Sequence, residues 1–284
     1  MEKIILLLPL YNDWKSCNYL LKKLNNKIKN FNYSLEVCIL NDASDNIDIV
    51  SKKLNKIKNI KIFNFKKNLG SQKVIYFGLN YLKNIKNKII IVMDSDGEDD
   101  INKFIDLIIN AKKYPNKIIV ACRTKRREVF LFKFLYRLHL ILTFIFTLSW
   151  INFGNYSAFN SANLKNILKN KSGLLAYSST LIKNCSIKKI YAKRQKRFFG
   201  TSKVSFFSLF VHSFRVIANF QTKILLTSIF YIIILIYLYD KNNNLFFLSF
   251  TFLIIFFNIL LIFVRKKFLN NIHKPKNFDV IKIK

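Results

Sequence analysis

Between Ile89 and Asp100 the chain changes character within one residue. Ile89-Ile90-Ile91-Val92-Met93 is an unbroken apolar run rich in β-branched residues, the pattern of a strand buried on both faces. Asp94, Asp96, Glu98, Asp99 and Asp100 follow at once. Such a strand belongs in a parallel sheet, and ligands collect at the carboxyl ends of parallel strands. The acids are gathered against the average charge of the molecule, which has 48 Lys+Arg and 15 Asp+Glu. Crowded carboxylates repel one another unless a cation compensates them. A hard divalent ion that also grips phosphate would do so.

The flanking sequence supplies the rest of a sheet. Strand-like segments at residues 3–10, 34–41, 60–65, 88–93 and 117–121 alternate with helix-like segments at 14–30, 47–55, 71–83 and 101–114. This alternation predicts an α/β fold with a mainly parallel sheet and helices on both faces. Residues 1–10 read as the first strand, because the apolar run is too short for a secretion signal. The four cysteines (Cys17, Cys38, Cys122 and Cys185) and three histidines show no metal or redox spacing, which predicts reduced, buried thiols. No internal repeat is visible.

After residue 128 the pattern changes. Residues 129–150 are mostly apolar, but Lys133, Arg137 and His139 interrupt the first half. The uninterrupted remainder is too short to cross a hydrocarbon layer of about 30 Å. It predicts an interfacial helix. Residues 204–217 repeat the theme, with Phe206, Phe207, Phe210, Phe214 and Ile217 on one face. Residues 220–239 then hold one charge, Lys223, and residues 245–264 hold none. Each stretch is long enough to span, and the polar 240–244 segment between them predicts a transmembrane hairpin. Arg265-Lys266-Lys267 follows directly, which puts the basic tail, the N-terminus and the sheet domain on the cytoplasmic side of an inner membrane. The expected division is a core at 1–128, an acceptor-side part with interfacial helices at 129–217, and the hairpin with its tail at 218–284. The net charge of +33 calls for an anionic partner; 51% hydrophobic content and 29 Phe favour lipid. Nucleic acid would need stacking aromatics interleaved with the basic residues on a solvent-facing sheet, and here the aromatics lie in membrane-like segments.

Four strand ends carry polar signatures in chain order. They are Leu8-Pro9-Leu10-Tyr11-Asn12-Asp13, Leu40-Asn41-Asp42-Ala43-Ser44-Asp45-Asn46, Asn68-Leu69-Gly70-Ser71-Gln72 and the acidic loop. Any one alone is an ordinary turn or cap. Together, the set resembles the family 2 glycosyltransferases with the GT-A nucleotide-sugar fold, and within them the dolichol-phosphate mannose synthases and bacterial polyprenyl-phosphate glycosyltransferases. The resemblance covers about residues 3 to 215, and the hairpin suits the bacterial members.

The resemblance implies roles residue by residue. Pro9, Tyr11 and Asp13 match a first-strand signature that meets the nucleotide, with Asp13 where Glu is usual. Asp42 matches an acid that contacts the base, while Asn41 replaces its partner acid and Ala43 replaces a Gly. Asn68 and Gly70 match the Asn-x-Gly turn. Asp94, Ser95 and Asp96 match the Asp-x-Asp motif that binds ribose and, through Mg²⁺ or Mn²⁺, the diphosphate. Glu98 stands where a Gln would be a further metal ligand, Asp99 matches, and Asp100 replaces a Pro. Arg123 and Arg127 are implied to meet an acceptor phosphate; Arg197 and Lys203, from an Arg-x-x-Gly-x-Ser-Lys run, join them.

Asn152-Phe153-Gly154-Asn155-Tyr156-Ser157 departs from the family's Asp-x-Gly-Asp-Phe-Arg. Both acids are amides, so a general base is missing. An ionised phosphate needs little base, so the departure suits polyprenyl phosphate better than a sugar hydroxyl. The expected reaction is inverting transfer of a sugar from a UDP- or GDP-sugar to polyprenyl phosphate, with Asp96, Arg123 and Arg127 nearest the chemistry. Alternatives are a family 2 transferase acting on a hydroxyl of a glycan or lipid-linked sugar, and a non-catalytic membrane scaffold. A processive synthase fits less well, because Gln195-Lys196-Arg197-Phe198-Phe199 lacks the Gln-x-x-Arg-Trp signature. Some relatives are oligomers, but no periodicity here points to a homo-oligomer.

Overall fold

In the computed structural model, residues 1–48, 54–124, 130–201, 205–270 and 278–282 are described. In chain order the elements are β1 (Glu2–Leu10), α1 (Trp14–Lys27), β2 (Tyr33–Asn41), β3 (Ile57–Phe65), α2 (Ser71–Tyr81), β4 (Ile89–Val92), α3 (Phe104–Lys113) and β5 (Ile118–Arg123). They continue with α4 (Phe130–Thr147), β6 (Phe153–Asn160), α5 (Leu164–Ile167), α6 (Tyr177–Asn184), β7 (Ile187–Ala192), α7 (Phe206–Ala218), α8 (Gln221–Asn242), α9 (Leu245–Asn270) and β8 (Phe278–Lys282). The chain divides into two units. One holds residues 1–127, 152–203 and 273–284; the other holds 128–151 and 204–272.

The first unit is built on one eight-stranded sheet in the order β7-β5-β6-β4-β1-β2-β3-β8. β1 is central because its residues 4–10 are apolar and buried without a break. It pairs in parallel with β2 and with β4, and β2 pairs in parallel with β3. Side chains alternate between the two faces. Ile4, Leu6, Leu8 and Leu10 pack under α1 and α3, against Leu20, Leu24, Phe104 and Leu107. Leu7 and Leu40 face α2, where a Cβ on Gly78 would lie 2.8–2.9 Å from their methyl groups. That glycine lets the helix lie close to the sheet. Cys17, Cys38 and Cys122 are buried free thiols, while Cys185 is half-buried and free.

Three strands lie outside the expected series. β6 runs antiparallel between β4 and β5, β7 extends the sheet beside β5, and β8 adds an antiparallel edge to β3. The expected helix at 47–55 falls largely on residues 49–53, outside the described residues.

In the second unit, α8 and α9 are long and apolar enough to cross a membrane, and only 11% of each apolar window is buried. The turn is shorter than the expected 240–244 segment. α8 runs to Asn242, Asn243 adopts the left-handed conformation (φ 48°), and Asn244 accepts from the Phe246 amide at 2.9 Å. Asn tolerates φ > 0, and its side chain caps the next helix. Asn258 donates to Ser228 at 2.8 Å, pinning the two helices midway. Thr227 and Tyr231 of α8 donate to the terminal carbonyls of Phe146 and Ile145 in α4.

Candidate active site

The carboxyl ends of β1, β2 and β4 and the turn before α2 lie along one edge of the sheet, joined by side chains. Ser95 donates to the Pro9 carbonyl at 2.9 Å. Asp42 accepts from the amides of Leu69 (2.6 Å) and Gly70 (2.8 Å), which holds the Asn68-Leu69-Gly70 turn against β2. Gly70 needs its freedom there, with φ +84° at the start of α2. Burial pushes the Asp42 carboxyl up, and those two amides oppose it. Asn12 and Asp45 exchange hydrogen bonds of 2.8 and 2.9 Å. Ala43, where the family pattern has Gly, sits at φ 58°.

The acidic loop is wound on itself. Asp99 accepts from the Asp94 amide (2.9 Å), Asp96 from the Glu98 amide (3.0 Å), and Asp100 from the Asn102 amide (3.0 Å), where it caps the turn leading into α3. Asp99 and Asp100 are buried and serve the loop's shape. Burial, then the Asp94 charge, pushes Asp96 up to about 6; Arg197 pulls the other way. Asp99 is raised by the same two causes, against Arg123. Arg123 lies 4.0 Å from Asp99 and stays a cation, because the surrounding acids outweigh the effect of its burial. Gly154 leaves room for it, since a Cβ there would stand 3.0 Å from the guanidinium.

Residues 194–198 lie against this loop. The amides of Gln195 and Phe198 donate to the carbonyls of Glu98 (2.9 Å) and Asp96 (3.0 Å). Arg194 grips Glu98 through Nε (3.0 Å) and Nη2. Arg197 donates to Asp96 at 3.1 Å and also to Asp13. The Phe198 ring occupies the space a side chain at Gly97 (φ +87°) would need. Asn155 donates to Asp94 at 2.9 Å.

Of the residues singled out from sequence, Asp13, Asp94, Asp96, Glu98, Arg123 and Arg197 are thus joined around one loop, with Asp42 and Gly70 on the same edge. Pro9 contributes its carbonyl, while Tyr11 and Asn68 are exposed on that edge. Arg197 meets the acids Asp13 and Asp96. Arg127 and Lys203 lie outside the described residues. Sequence reasoning missed Arg194, whose signal was a basic run opposite in sign to the acidic loop; it placed Gln72 in the third polar signature but gave it no role.

Among the described residues, no three His, Cys, Asp or Glu side chains are grouped to hold a metal. A magnesium-like ion is commonly held by one or two carboxylates plus substrate phosphates. Asp94 and Asp96, half-buried and two residues apart in the loop, fit that smaller requirement.

A mainly parallel sheet with acids at the carboxyl ends of its central strands defines an open α/β protein whose ligand crevice lies along that edge. The profile of glycosyl transferase family 2 matches residues 5–180, and the chain belongs to that family. Its fold is similar to mannosyl-3-phosphoglycerate synthase from Rubrobacter xylanophilus, at 9% identity over 77% of this chain and 72% of that one (TM-score 0.52). It is also similar to residues 1–349 of S. aureus TarS in complex with UDP-GlcNAc, at 17% identity over 78% of this chain and 66% of that one (TM-score 0.47). A third likeness is to the mannosyltransferase PcManGT from Pyrobaculum calidifontis, in complex with GDP-Man and Mn2+, at 9% identity over 78% and 64% (TM-score 0.44). The match spans just under two thirds of the TarS fragment. No protein of curated function matches the sequence.

Proposed function

We propose that the protein is a membrane-attached inverting glycosyltransferase that moves a sugar from a UDP- or GDP-sugar to polyprenyl phosphate. The observation that carries this reading is Asn155. It stands beside Asp94 with an amide where the family pattern has a carboxylate. A hydroxyl acceptor needs a base; a phosphate oxygen arrives ionised and does not. The two membrane-length helices would keep the enzyme at the surface where such a lipid resides.

In this reading the phosphate oxygen attacks the anomeric carbon, and the nucleoside diphosphate leaves with the bond electrons. Asp94 and Asp96 would hold Mg²⁺ or Mn²⁺, joined by Glu98 on its release from Arg194, and the ion would neutralise charge on the leaving diphosphate. Pro9, Tyr11, Asp13, Asp42, Asn68 and Gly70 line the nucleotide side. Arg123, Arg127, Arg197 and Lys203 serve phosphate oxygens, for which guanidinium forks are suited. The strand β8, beyond α9, pairs with β3 of the catalytic sheet. A chain that leaves a sheet and returns to it crosses a bilayer an even number of times. This supports a two-pass hairpin with both termini on the catalytic side, which the positive-inside rule makes cytoplasmic.

The test offers the full chain short-chain polyprenyl phosphate and the matching polyprenyl alcohol, each with UDP- and GDP-sugars. Product from the phosphate alone supports the proposal. Product from the alcohol, or from a glycan hydroxyl while the phosphate stays unmodified, contradicts it.

A further inference from the structure

The amide of Asn155 could face Asp94 with either its nitrogen or its oxygen, and the difference is chemical. Its orientation is settled at the far end of a relay of contacts. Tyr177 opens α6, and an amide at a helix start has no acceptor within its own helix. It donates to Gln72 Oε1 at 2.6 Å. A backbone N–H can only donate, so Gln72 must present its oxygen there and its Nε2 elsewhere. That Nε2 donates to Asn155 Oδ1 at 3.2 Å, which leaves Asn155 Nδ2 to donate to Asp94 Oδ1 at 2.9 Å. Gln72 and the Tyr177 amide lie in buried surroundings, where an inverted amide would set donors or acceptors against each other.

We infer that Gln72 is a positioning residue: through Asn155 it fixes an N–H donor on Asp94, which holds that carboxylate in place at the carboxyl edge of the sheet. That the held carboxylate serves a nucleotide-sugar rests on the proposed function; the fixed orientation of Asn155 does not.

The test is Gln72→Glu in the full chain in detergent, an isosteric change that reverses one donor. At pH 8 the introduced carboxylate still accepts from the Tyr177 amide, but its second oxygen meets Asn155 Oδ1. Asn155 must then turn its oxygen towards Asp94 or lose the contact. The melting midpoint should fall by roughly 3 °C or more against wild type, and binding of UDP or GDP with Mn²⁺ should weaken about tenfold. Position 72 is buried, and burial favours the protonated form of a carboxyl over its ordinary titration near about 4.3. At pH 5 the protonated carboxyl donates as the amide does, and the melting deficit should close. Equal deficits at both pH values, or none at pH 8, would overturn the inference. If wild type binds neither nucleotide, the proposed function fails while the melting comparison still decides the role of Gln72.

Discussion

Arg197 and Asp96 are joined by a hydrogen bond of 3.1 Å from Nη1 to Oδ2. The same guanidinium reaches Asp13, at the start of α1. One cation therefore ties the acidic loop after β4 to the loop between β1 and α1. Arg197→Ala should weaken nucleotide binding about tenfold or more, the effect of losing a charge-assisted pair. Arg197→Lys should recover part of it, because charge returns without the fork. Calorimetric titration with UDP and GDP in the presence of Mn²⁺ reads both.

The acidic loop makes stability and activity depend on pH in a defined direction. Burial and Asp94 hold Asp96 up to about 6, above the ordinary carboxylate value. The folded state therefore binds this proton more tightly than the unfolded chain. Stability attributable to Asp96 falls as pH rises from about 4 to about 6. In the proposed function, metal and nucleotide need the ionised form, so activity should decline below pH 6. Mn²⁺ should raise the melting midpoint more at pH 7.5 than at pH 5, as scanning fluorimetry would record. An equal increment at both values would remove Asp96 from the cation site.

Ala43 adopts φ 58°, a conformation that costs an alanine about 1 kcal/mol. Ala43→Gly should stabilise the first unit by up to that amount, offset by the freedom glycine gains in the unfolded chain. Denaturant midpoints compare the two. A loss of stability would mean that the turn after β2 has another conformation.

Gly78 shows the opposite case. A methyl group there would press on Leu7 and Leu40, so Gly78→Ala should cost about 1–3 kcal/mol by overpacking. An unchanged midpoint would show that α2 can lift away from the sheet.

The parallel core was legible because its strands are continuous apolar runs and its motifs sit at their ends. The acids of the site were legible for the same reason: Asp94 and Asp96 follow directly on β4. β6 was not, because Phe153–Asn160 mixes Gly, Asn and Ser and becomes a strand only by long-range pairing on both sides. β7 and β8 are short edge strands whose partners lie far away in sequence. The Gln72–Asn155 contact spans 83 positions and joins two neutral amides, which have no charge pattern to betray them. The family resemblance drew attention to position 155 as a departure. Only the fold gave the amide there a partner.

The most direct measurement of the central claim is radiolabel transfer from a panel of UDP- and GDP-sugars to short-chain polyprenyl phosphate, with and without Mn²⁺, comparing wild type with Asp96→Ala. The account predicts a lipid-soluble product that needs the metal and falls at least a hundredfold in the variant. Nucleotide-sugar binding in wild type with no labelled lipid from any donor would contradict it.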